Sequence, residues 1–293
     1  MNEILKVENL SKSFGRKKVL RDFGLSLERG KVYGLLGNNG EGKTTLIRIL
    51  QGIIPADRGR IAYQGKPVKF SGSAYKRSIG YIAEDNIFFN RMTVREFLRF
   101  NGGFYPTWNG KKAEEYLTRF ALNPKDKIRN LSRGMKLKLG LIAALASEPE
   151  LLLLDDPTSG LDVPTRHDFL RNIIREITDA GMTVLFASHL VHELERVIDR
   201  LAILHGGKLI LDVDYEDFRD RIKKVTLACS PEELDKVKVE GILTKDVSPN
   251  GCELVIYPWD ETKEKALAEA CRAPLETSAL SLEDIFVSFV GRS

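Results

Sequence analysis

One segment of this 293-residue sequence has the residue types and the spacing that bind phosphate. Residues 37–44 read GNNGEGKT, which fits the pattern G-x-x-x-x-G-K-[ST]. Glycines let several backbone N–H groups turn toward one anion, and a helix that begins after the loop directs its positive end to the same place. Lys43 can reach the β- and γ-phosphates, and the Thr44 hydroxyl can ligate Mg²⁺. The segment therefore predicts a loop that binds a nucleoside triphosphate and its metal ion.

A second candidate metal ligand is Asp155, which ends the apolar run LLLL. In enzymes with such a phosphate loop, a carboxylate at the end of another strand holds Mg²⁺. An apolar run followed by aspartate is by itself a weak signal, because many buried strands end in this way. The loop at 37–44 makes it a strong one.

The segment LSRGM at 131–135 is a weaker candidate for binding an anion. Ser132 is placed to cap a helix, and Gly134 leaves N–H groups free at its positive end. Taken alone, the segment indicates only a capped helix.

The surrounding sequence predicts strands that alternate with helices. KVYGLLG, SIGYIAE, ELLLLDD and MTVLFASH are short apolar runs, typical of buried parallel strands. Helical periodicity is seen in TTLIRILQGI, in about residues 93–146, in PTRHDFLRNIIREITDAG and in HELERVIDR. Thr93 and Glu96 suit a capping box at the start of the second of these regions. These elements predict an α/β fold with a mostly parallel sheet.

Other strands are expected at both ends of this region. Residues 1–30 alternate weakly between apolar and polar, which predicts two strands with turns at Gly15 and Gly30. A further pair is expected within 60–70, and LAILHGGKLILD predicts a hairpin. The pattern changes after about residue 213, where a small β/α appendage begins.

Composition limits the class of protein without naming a partner. The chain is 43% hydrophobic and 29% charged, with a net charge of +4, as in ordinary globular proteins. No run of eighteen apolar residues occurs, so we expect no membrane span, and the first residues suggest no secretory signal. Three cysteines without metal-type spacing are typical of free thiols in a reducing cytosol.

Taken together, residues 4–212 resemble the ATP-binding cassette (ABC) ATPases, with motifs in that family's order and approximate spacing. Gly37–Thr44 is similar to the Walker A loop and LLLLDD to the Walker B strand. Leu131–Met135 resembles the signature LSGGQ, and Ser159–Asp162 matches the D-loop. His189 matches the switch histidine, and Phe14 lies where an aromatic ring usually stacks on adenine.

The resemblance implies a fold and a set of site residues. The fold is a P-loop NTPase (RecA-like) core with an antiparallel β subdomain and an α-helical signature subdomain at about 86–146. The cassette would span 1–212, and a small α+β accessory domain 213–293. The implied cofactors are ATP and Mg²⁺, with Thr44, Asp155 and Glu84 as metal ligands and Asp156, His189 and Glu84 as catalytic residues. The implied nucleotide-binding residues are Phe14, Gly37, Asn38, Asn39, Gly40, Glu41, Gly42, Lys43, Thr44, Thr45, Ser132, Arg133 and Gly134.

The family mechanism implies a dimer of cassettes that closes head to tail around two ATP molecules. Ser132 and Gly134 of one cassette would touch the γ-phosphate that Lys43 of the other binds. ATP would favour the closed state and hydrolysis would reverse it. The second cassette is an identical copy or a paralogue.

The sequence departs from the family pattern at three places. The residue after the Mg²⁺ aspartate is usually glutamate and is here Asp156, one methylene shorter. A misplacement of about 1 Å can lower a rate about a hundredfold, so we predict slow hydrolysis. Glu84 stands where the family has glutamine, and Arg133 and Met135 replace the usual Gly and Gln of the signature.

The partner implied by a single cassette is a membrane-spanning permease subunit in trans, which would hold the chain at the cytoplasmic face of the membrane. Phe88, Phe89, Met92 and Val94 suit a groove for an apolar helix of that subunit, or equally the core of the helical subdomain. The ending LSLEDIFVSFVG resembles ATPases of bacterial exporters. One alternative is a soluble ABC ATPase acting on nucleic acid or ribosomes, which is disfavoured because the chain has a single cassette and no coiled coils. The other is a cassette with attenuated ATP hydrolysis that pairs with an active one.

Overall fold

The computed structural model describes residues 2–69, 72, 75–189, 194, 195, 197–229, 234, 239–248, 251–271 and 275–291. The chain divides into two compact units, Met1–Asp212 and Val213–Ser293. The helix predicted over HELERVIDR falls partly on residues outside the described ranges.

A six-stranded sheet forms the centre of the first unit, in the order β10-β9-β3-β8-β7-β6. The strands from β6 to β9 along this order are parallel. Every residue of β3, β7 and β8 is buried, as the apolar runs predicted. The strands are β3 (Val32–Leu36), β6 (Ile79–Ile82), β7 (Leu151–Asp155), β8 (Thr183–Ser188), β9 (Arg200–His205) and β10 (Lys208–Asp214).

A second, antiparallel sheet belongs to the same unit and has the order β2-β1-β4-β5. Gly15 makes the turn between its first two strands with φ 58°, a conformation that glycine adopts without strain. Phe23 of this sheet is fully buried in the same hydrophobic core as Leu35 and Leu46, so the two sheets share one core. The strands are β1 (Glu3–Phe14), β2 (Lys17–Glu28), β4 (Arg58–Tyr63) and β5 (Lys66–Pro67).

Three of the helices in the first unit form a helical subdomain within residues 94–146. Thr93 and Glu96 make the predicted capping box at the start of α2, and Ser132 caps α4 by accepting a hydrogen bond from the N–H of Met135. Among the described residues, none of the helices combines the length and apolar character needed to cross a bilayer. The helices are α1 (Lys43–Leu50), α2 (Val94–Gly102), α3 (Gly110–Arg119), α4 (Arg133–Ala146) and α5 (Val163–Ala180).

The second unit contains a four-stranded antiparallel sheet in the order β12-β13-β11-β14. Its core includes Leu227, Leu254 and Leu267, and the side chains of Cys229 and Cys252 are buried in it. The elements are α6 (Tyr215–Arg221), β11 (Lys223–Leu227), β12 (Ile242–Ser248), β13 (Gly251–Ile256), α7 (Glu261–Cys271), β14 (Leu275–Ser278) and α8 (Leu282–Val290).

Candidate functional site

The glycine-rich loop connects β3 to α1, as its sequence predicted. Gly40 and Gly42 have φ of 85° and 112°, which other residues rarely adopt. A Cβ at Gly42 would meet side-chain atoms of Val19 and Leu20 at 3.0 Å, and a Cβ at Gly37 would approach the carbonyl oxygen of Leu204 to 2.8 Å. The glycines are therefore needed both for the turn of the loop and for its close packing.

Lys43 follows the loop as the first residue of α1, and its side chain is buried. Its Nζ donates hydrogen bonds to the carbonyl oxygens of Gly37 at 2.6 Å and Asn38 at 3.3 Å, and lies 3.9 Å from Asp156 Oδ2. Burial lowers the pKa of Lys43, while the nearby carboxylates of Asp156 and Asp155 act in the opposite direction. The loop thus holds a buried ammonium group between its own carbonyl oxygens and the Asp156 carboxylate.

Thr44 and Asp155 are brought together although they are far apart in sequence. The Thr44 hydroxyl donates to Asp155 Oδ1 at 3.0 Å, and the carboxyl group is almost completely buried. Burial raises the pKa of Asp155 to about 6; the charges of Asp156 and Glu84 also raise it, and the Thr44 hydrogen bond lowers it. A hydroxyl and a carboxylate are oxygen donors of the kind that Mg²⁺ prefers, so the pair fits this ion.

Asp156 lies beside Lys43 in an unusual backbone conformation, with φ 42°. Aspartate is one of the few non-glycine residues that tolerate this region. Its Oδ1 accepts hydrogen bonds from the Ser188 hydroxyl at 3.1 Å and the His189 backbone N–H at 3.0 Å, and the His189 Nδ1 is at 2.8 Å. The carboxylate is therefore held against the end of β8.

A cavity of about 550 Å³ opens above these residues and joins most of the predicted site. Both sheets contribute to its walls, because β1 and β2 supply one side and the ends of the parallel strands supply the other. The lining residues are Phe14, Lys17, Val19, Asn39, Gly40, Gly42, Lys43, Thr44, Thr45, Glu84, Asp156, Ser159 and His189. This volume and this mixture of one aromatic ring with polar groups suit a small, charged ligand.

Phe14 is half exposed at one side of the cavity. Lys12 Nζ lies 5.4 Å from the centroid of its ring and donates a hydrogen bond to Asp57 at 2.9 Å. The Asp57 carboxylate also accepts from the backbone N–H of Ser13 at 2.7 Å. These contacts fix the end of β1, and the exposed part of Phe14 at the cavity can stack on a planar group.

The predicted signature residues Ser132, Arg133 and Gly134 do not line this cavity. Arg133 lies near Asp85, at 3.5 Å, and a Cβ at Gly160 would lie 2.8 Å from its guanidinium. A Cβ at Gly134 would meet Thr165 Cγ2 at 2.6 Å, so this glycine permits a close contact between α4 and α5. The three residues are separate from the phosphate loop of their own chain.

The apolar side chains proposed for a partner groove differ in burial, and Phe88 and Met92 are partly buried. Val94 is fully buried, which agrees with the alternative that it belongs to the core of the helical subdomain and not to a surface groove. Phe89 is 55% exposed, and its ring packs edge to face on Phe100, which packs in the same way on Phe104. Phe100 and Phe104 are also exposed, which the sequence did not predict.

Some residues of the site had not been recognised from the sequence. Lys17 and Val19 line the cavity from β2. Ser159 also lines it, and its place in the D-loop segment was a usable signal. Ser188 donates to Asp156, and its position next to His189 at the end of an apolar run was the only hint.

Two family models match parts of the chain that contain most of this site. The family model described as "ABC transporter" matches residues 20–159, which include the phosphate loop, Asp155 and Asp156. A second model, described as "AAA domain, putative AbiEii toxin, Type IV TA system", matches residues 127–195.

Two curated relatives and one solved structure illustrate the similarity. The chain is 30% identical to the ABC transporter ATP-binding protein YtrB of Bacillus subtilis, over 98% of each chain. It is 31% identical to the linearmycin resistance ATP-binding protein LnrL of the same species, over 99% of each chain. The structure of cbiO1 from Clostridium perfringens, part of the ABC transporter complex cbiONQ, has a TM-score of 0.65 and 28% identity, and covers 74% of this chain and 90% of its own.

Proposed function

The chain belongs to the family of ABC transporter ATP-binding proteins, and from this premise we propose that it drives an exporter whose membrane-spanning subunit is a separate polypeptide. Members of the family are ATPases, and this chain is the ATP-binding motor subunit of a transporter. The observation that carries its role as a nucleotide-driven motor is the cavity in which the phosphate loop, Phe14, Asp156 and His189 meet.

The phosphate groups would be bound by the loop and by Lys43. Lys43 gives up its contacts with Gly37 and Asn38 for stronger ones, since a charged phosphate oxygen is a better acceptor than a carbonyl oxygen. The backbone N–H groups of the loop and the start of α1 complete the anion site. Phe14 stacks on the base at the other side of the cavity. The loop residues that would contribute backbone N–H groups to the phosphate site are Gly37, Asn38, Asn39, Gly40, Glu41, Gly42, Thr44 and Thr45.

Mg²⁺ would be held by Thr44 and Asp155, with Glu84 as a further ligand. Glu84 is exposed and lines the cavity, so its carboxylate has access to an ion that the phosphates bring with them. When bound, the ion neutralises charge that develops on the phosphate oxygens during hydrolysis.

Hydrolysis would depend on Asp156, assisted by His189 and Glu84. Asp156 Oδ1 is occupied by Ser188 and His189, which leaves Oδ2 as the oxygen that orients water or takes up its proton. His189 is partly exposed in the cavity and is placed to contact the γ-phosphate. The short side chain of Asp156 and its hydrogen bonds to the end of β8 favour slow turnover. The second candidate function is therefore a cassette with attenuated hydrolysis that pairs with a more active one.

A second cassette would complete each site with its Ser132, Arg133 and Gly134. Their separation from the phosphate loop of their own chain is what such an arrangement requires. The cap of α4 presents Ser132 with the positive end of a fourteen-residue helix. The second cassette would be either an identical copy of this chain or a paralogue.

The membrane subunit would bind the exposed aromatic cluster of Phe89, Phe100 and Phe104. Exposed apolar side chains that touch each other suit the apolar face of a partner helix. This contact would hold the chain at the inner face of the membrane. Export is supported by the relative named for linearmycin resistance, which matches almost the whole chain.

The cassette would comprise 1–212 and the accessory domain 213–293. The division of the chain into two compact units supports this assignment. The relatives YtrB and LnrL match the accessory segment as well, whereas the cassette structure covers only 74% of the chain.

The first test is ATP hydrolysis by the purified chain beside Lys43→Ala and, as a matched control, Lys111→Ala, which removes an exposed lysine on α3. The proposal requires Lys43→Ala to abolish ATP binding and hydrolysis, and Lys111→Ala to leave both unchanged. Lys43→Ala protein with normal hydrolysis would overturn it. Copurification with a polytopic membrane protein encoded beside this chain, lost in a Phe89→Ala/Phe104→Ala variant, tests the permease contact separately.

A further inference from the structure

Glu41 places a negative charge within a loop that binds anions. It lies between Gly40 and Gly42, both of which line the cavity. A carboxylate there would repel the phosphates of a nucleotide if its side chain turned toward them. The loop must therefore either tolerate this repulsion or keep the carboxylate away.

The Glu41 side chain is in fact directed away from the cavity. It is not among the lining residues, although its neighbours on both sides are. Its Oε1 lies 3.3 Å from Nδ1 of His205, a close contact without hydrogen-bond geometry, and its side chain is 18% exposed. The carboxylate is thus packed against an imidazole behind the loop.

The position of His205 is fixed by the large sheet. It is the last residue of β9, which pairs with β3 in parallel. Leu36 and Ile203 are the last paired residues of these two strands. The Gly206–Gly207 turn follows, and the carbonyl oxygen of Gly207 accepts a hydrogen bond from the N–H of Arg21. The close approach between Gly37 and the carbonyl oxygen of Leu204 brings the loop onto the end of this same strand.

We propose that His205 is a positioning residue that holds the Glu41 carboxylate away from the nucleotide phosphates. The inference rests on the proposed role of this loop in binding ATP. Without the imidazole, the Glu41 side chain is free to rotate toward the cavity. There it competes with the phosphates for Lys43, whose ammonium group already senses the charge of Glu41. Because this competition is electrostatic, the loss of affinity grows with the number of charges on the phosphates.

The test compares the affinities of wild type, His205→Leu, Glu41→Gln and the double variant for ATP, ADP and adenosine by titration calorimetry. We expect His205→Leu to bind ATP about fivefold more weakly than wild type does. Its affinity for ADP should fall less, and its affinity for adenosine should not change. Glu41→Gln and the double variant should both bind ATP at least as tightly as wild type, since no charge remains to be held. His205→Gln, which keeps a polar side chain of similar size against the Glu41 carboxylate, should restore most of the affinity. His167→Leu, which removes an exposed histidine on α5, is the control for changes in histidine content.

Two results would overturn the inference. One is a His205→Leu protein that binds ATP as wild type does. The other is a double variant as weak as His205→Leu, which would mean that His205 supports the loop by packing alone; thermal unfolding of all variants identifies a general loss of stability. If wild type itself binds no ATP, the proposed function fails instead, and the two failures are thereby distinguished.

Discussion

His189 and Asp156 lie in direct contact at the edge of the cavity, with the imidazole Nδ1 2.8 Å from Asp156 Oδ1. The same oxygen accepts from the His189 backbone N–H, and the Asp156 N–H donates to the carbonyl oxygen of Ala187 at 2.9 Å. The carboxylate is therefore bound to the end of β8 through both its side chain and its backbone. A histidine that turns toward a γ-phosphate gives up this contact, so the two residues can change partners together.

The reach of Asp156 should limit the rate of hydrolysis. We predict that Asp156→Asn, which keeps the shape and tolerates the positive φ, lowers turnover about a hundredfold with little change in ATP affinity. Asp156→Glu should raise turnover above wild type, because the additional methylene extends the carboxylate beyond its contacts with Ser188 and His189. Steady-state phosphate release measures both variants. An Asn variant as fast as wild type would show that Asp156 is not the base.

His189 should affect turnover more than binding. Removing the imidazole in His189→Ala deletes a contact with Asp156 and a polar group that faces the cavity, and leaves the phosphate loop intact. We expect kcat to fall more than tenfold, within the range for a group that assists proton transfer or charge stabilisation, while the ATP dissociation constant changes little. His167→Ala serves as the control. A loss of affinity equal to the loss in kcat would contradict the assignment.

The burial of Asp155 predicts a pH dependence of stability in the nucleotide-free protein. Its pKa is raised from 3.8 to about 6, so the folded state binds the proton more tightly than the unfolded state does. Stability therefore decreases as pH rises from about 4, and the loss is complete above about 6. Asp155→Asn removes this penalty, and should exceed wild type in unfolding free energy by about 3 kcal/mol at pH 8 and by little at pH 4.

Denaturant unfolding at several pH values measures the difference between wild type and Asp155→Asn. A difference that is constant between pH 4 and 8 would exclude titration of Asp155 as its cause. Saturating Mg²⁺ and nucleotide should reverse the order of stability, because only wild type retains the ionised ligand for the metal.

Phe14 should contribute to binding through the base alone. We predict that Phe14→Ala weakens ATP binding about fivefold, since an aromatic contact is worth about 1 kcal/mol, and that Phe14→Tyr restores it. Binding of tripolyphosphate, which has no base, should be the same in wild type and Phe14→Ala. Equal losses for ATP and tripolyphosphate would instead indicate damage to the phosphate loop.

The sequence predicted the parts of the fold that depend on local pattern. The apolar runs became the buried strands β3, β7 and β8, and the Thr93–Glu96 capping box begins α2. Local pattern does not contain pairs that form only in three dimensions, such as Glu41 with His205. Nor did it distinguish Val94, which is buried, from Phe89, which is exposed, because both are apolar and lie near the start of one helix.

The order of strands in the large sheet links ligand binding to folding. β8 lies between β3, which leads into the phosphate loop, and β7, which ends at Asp155, yet it is the last of the three along the chain. A growing polypeptide can thus display its glycine loop and its Asp155 well before the strand that sets their separation is made. Until β8 and His189 are made, such an intermediate lacks the groups that hold Asp156 at the cavity. We therefore expect ATP to stabilise the chain with a finished central sheet over partly assembled forms, because a ligand that binds only the folded state shifts the equilibrium toward it.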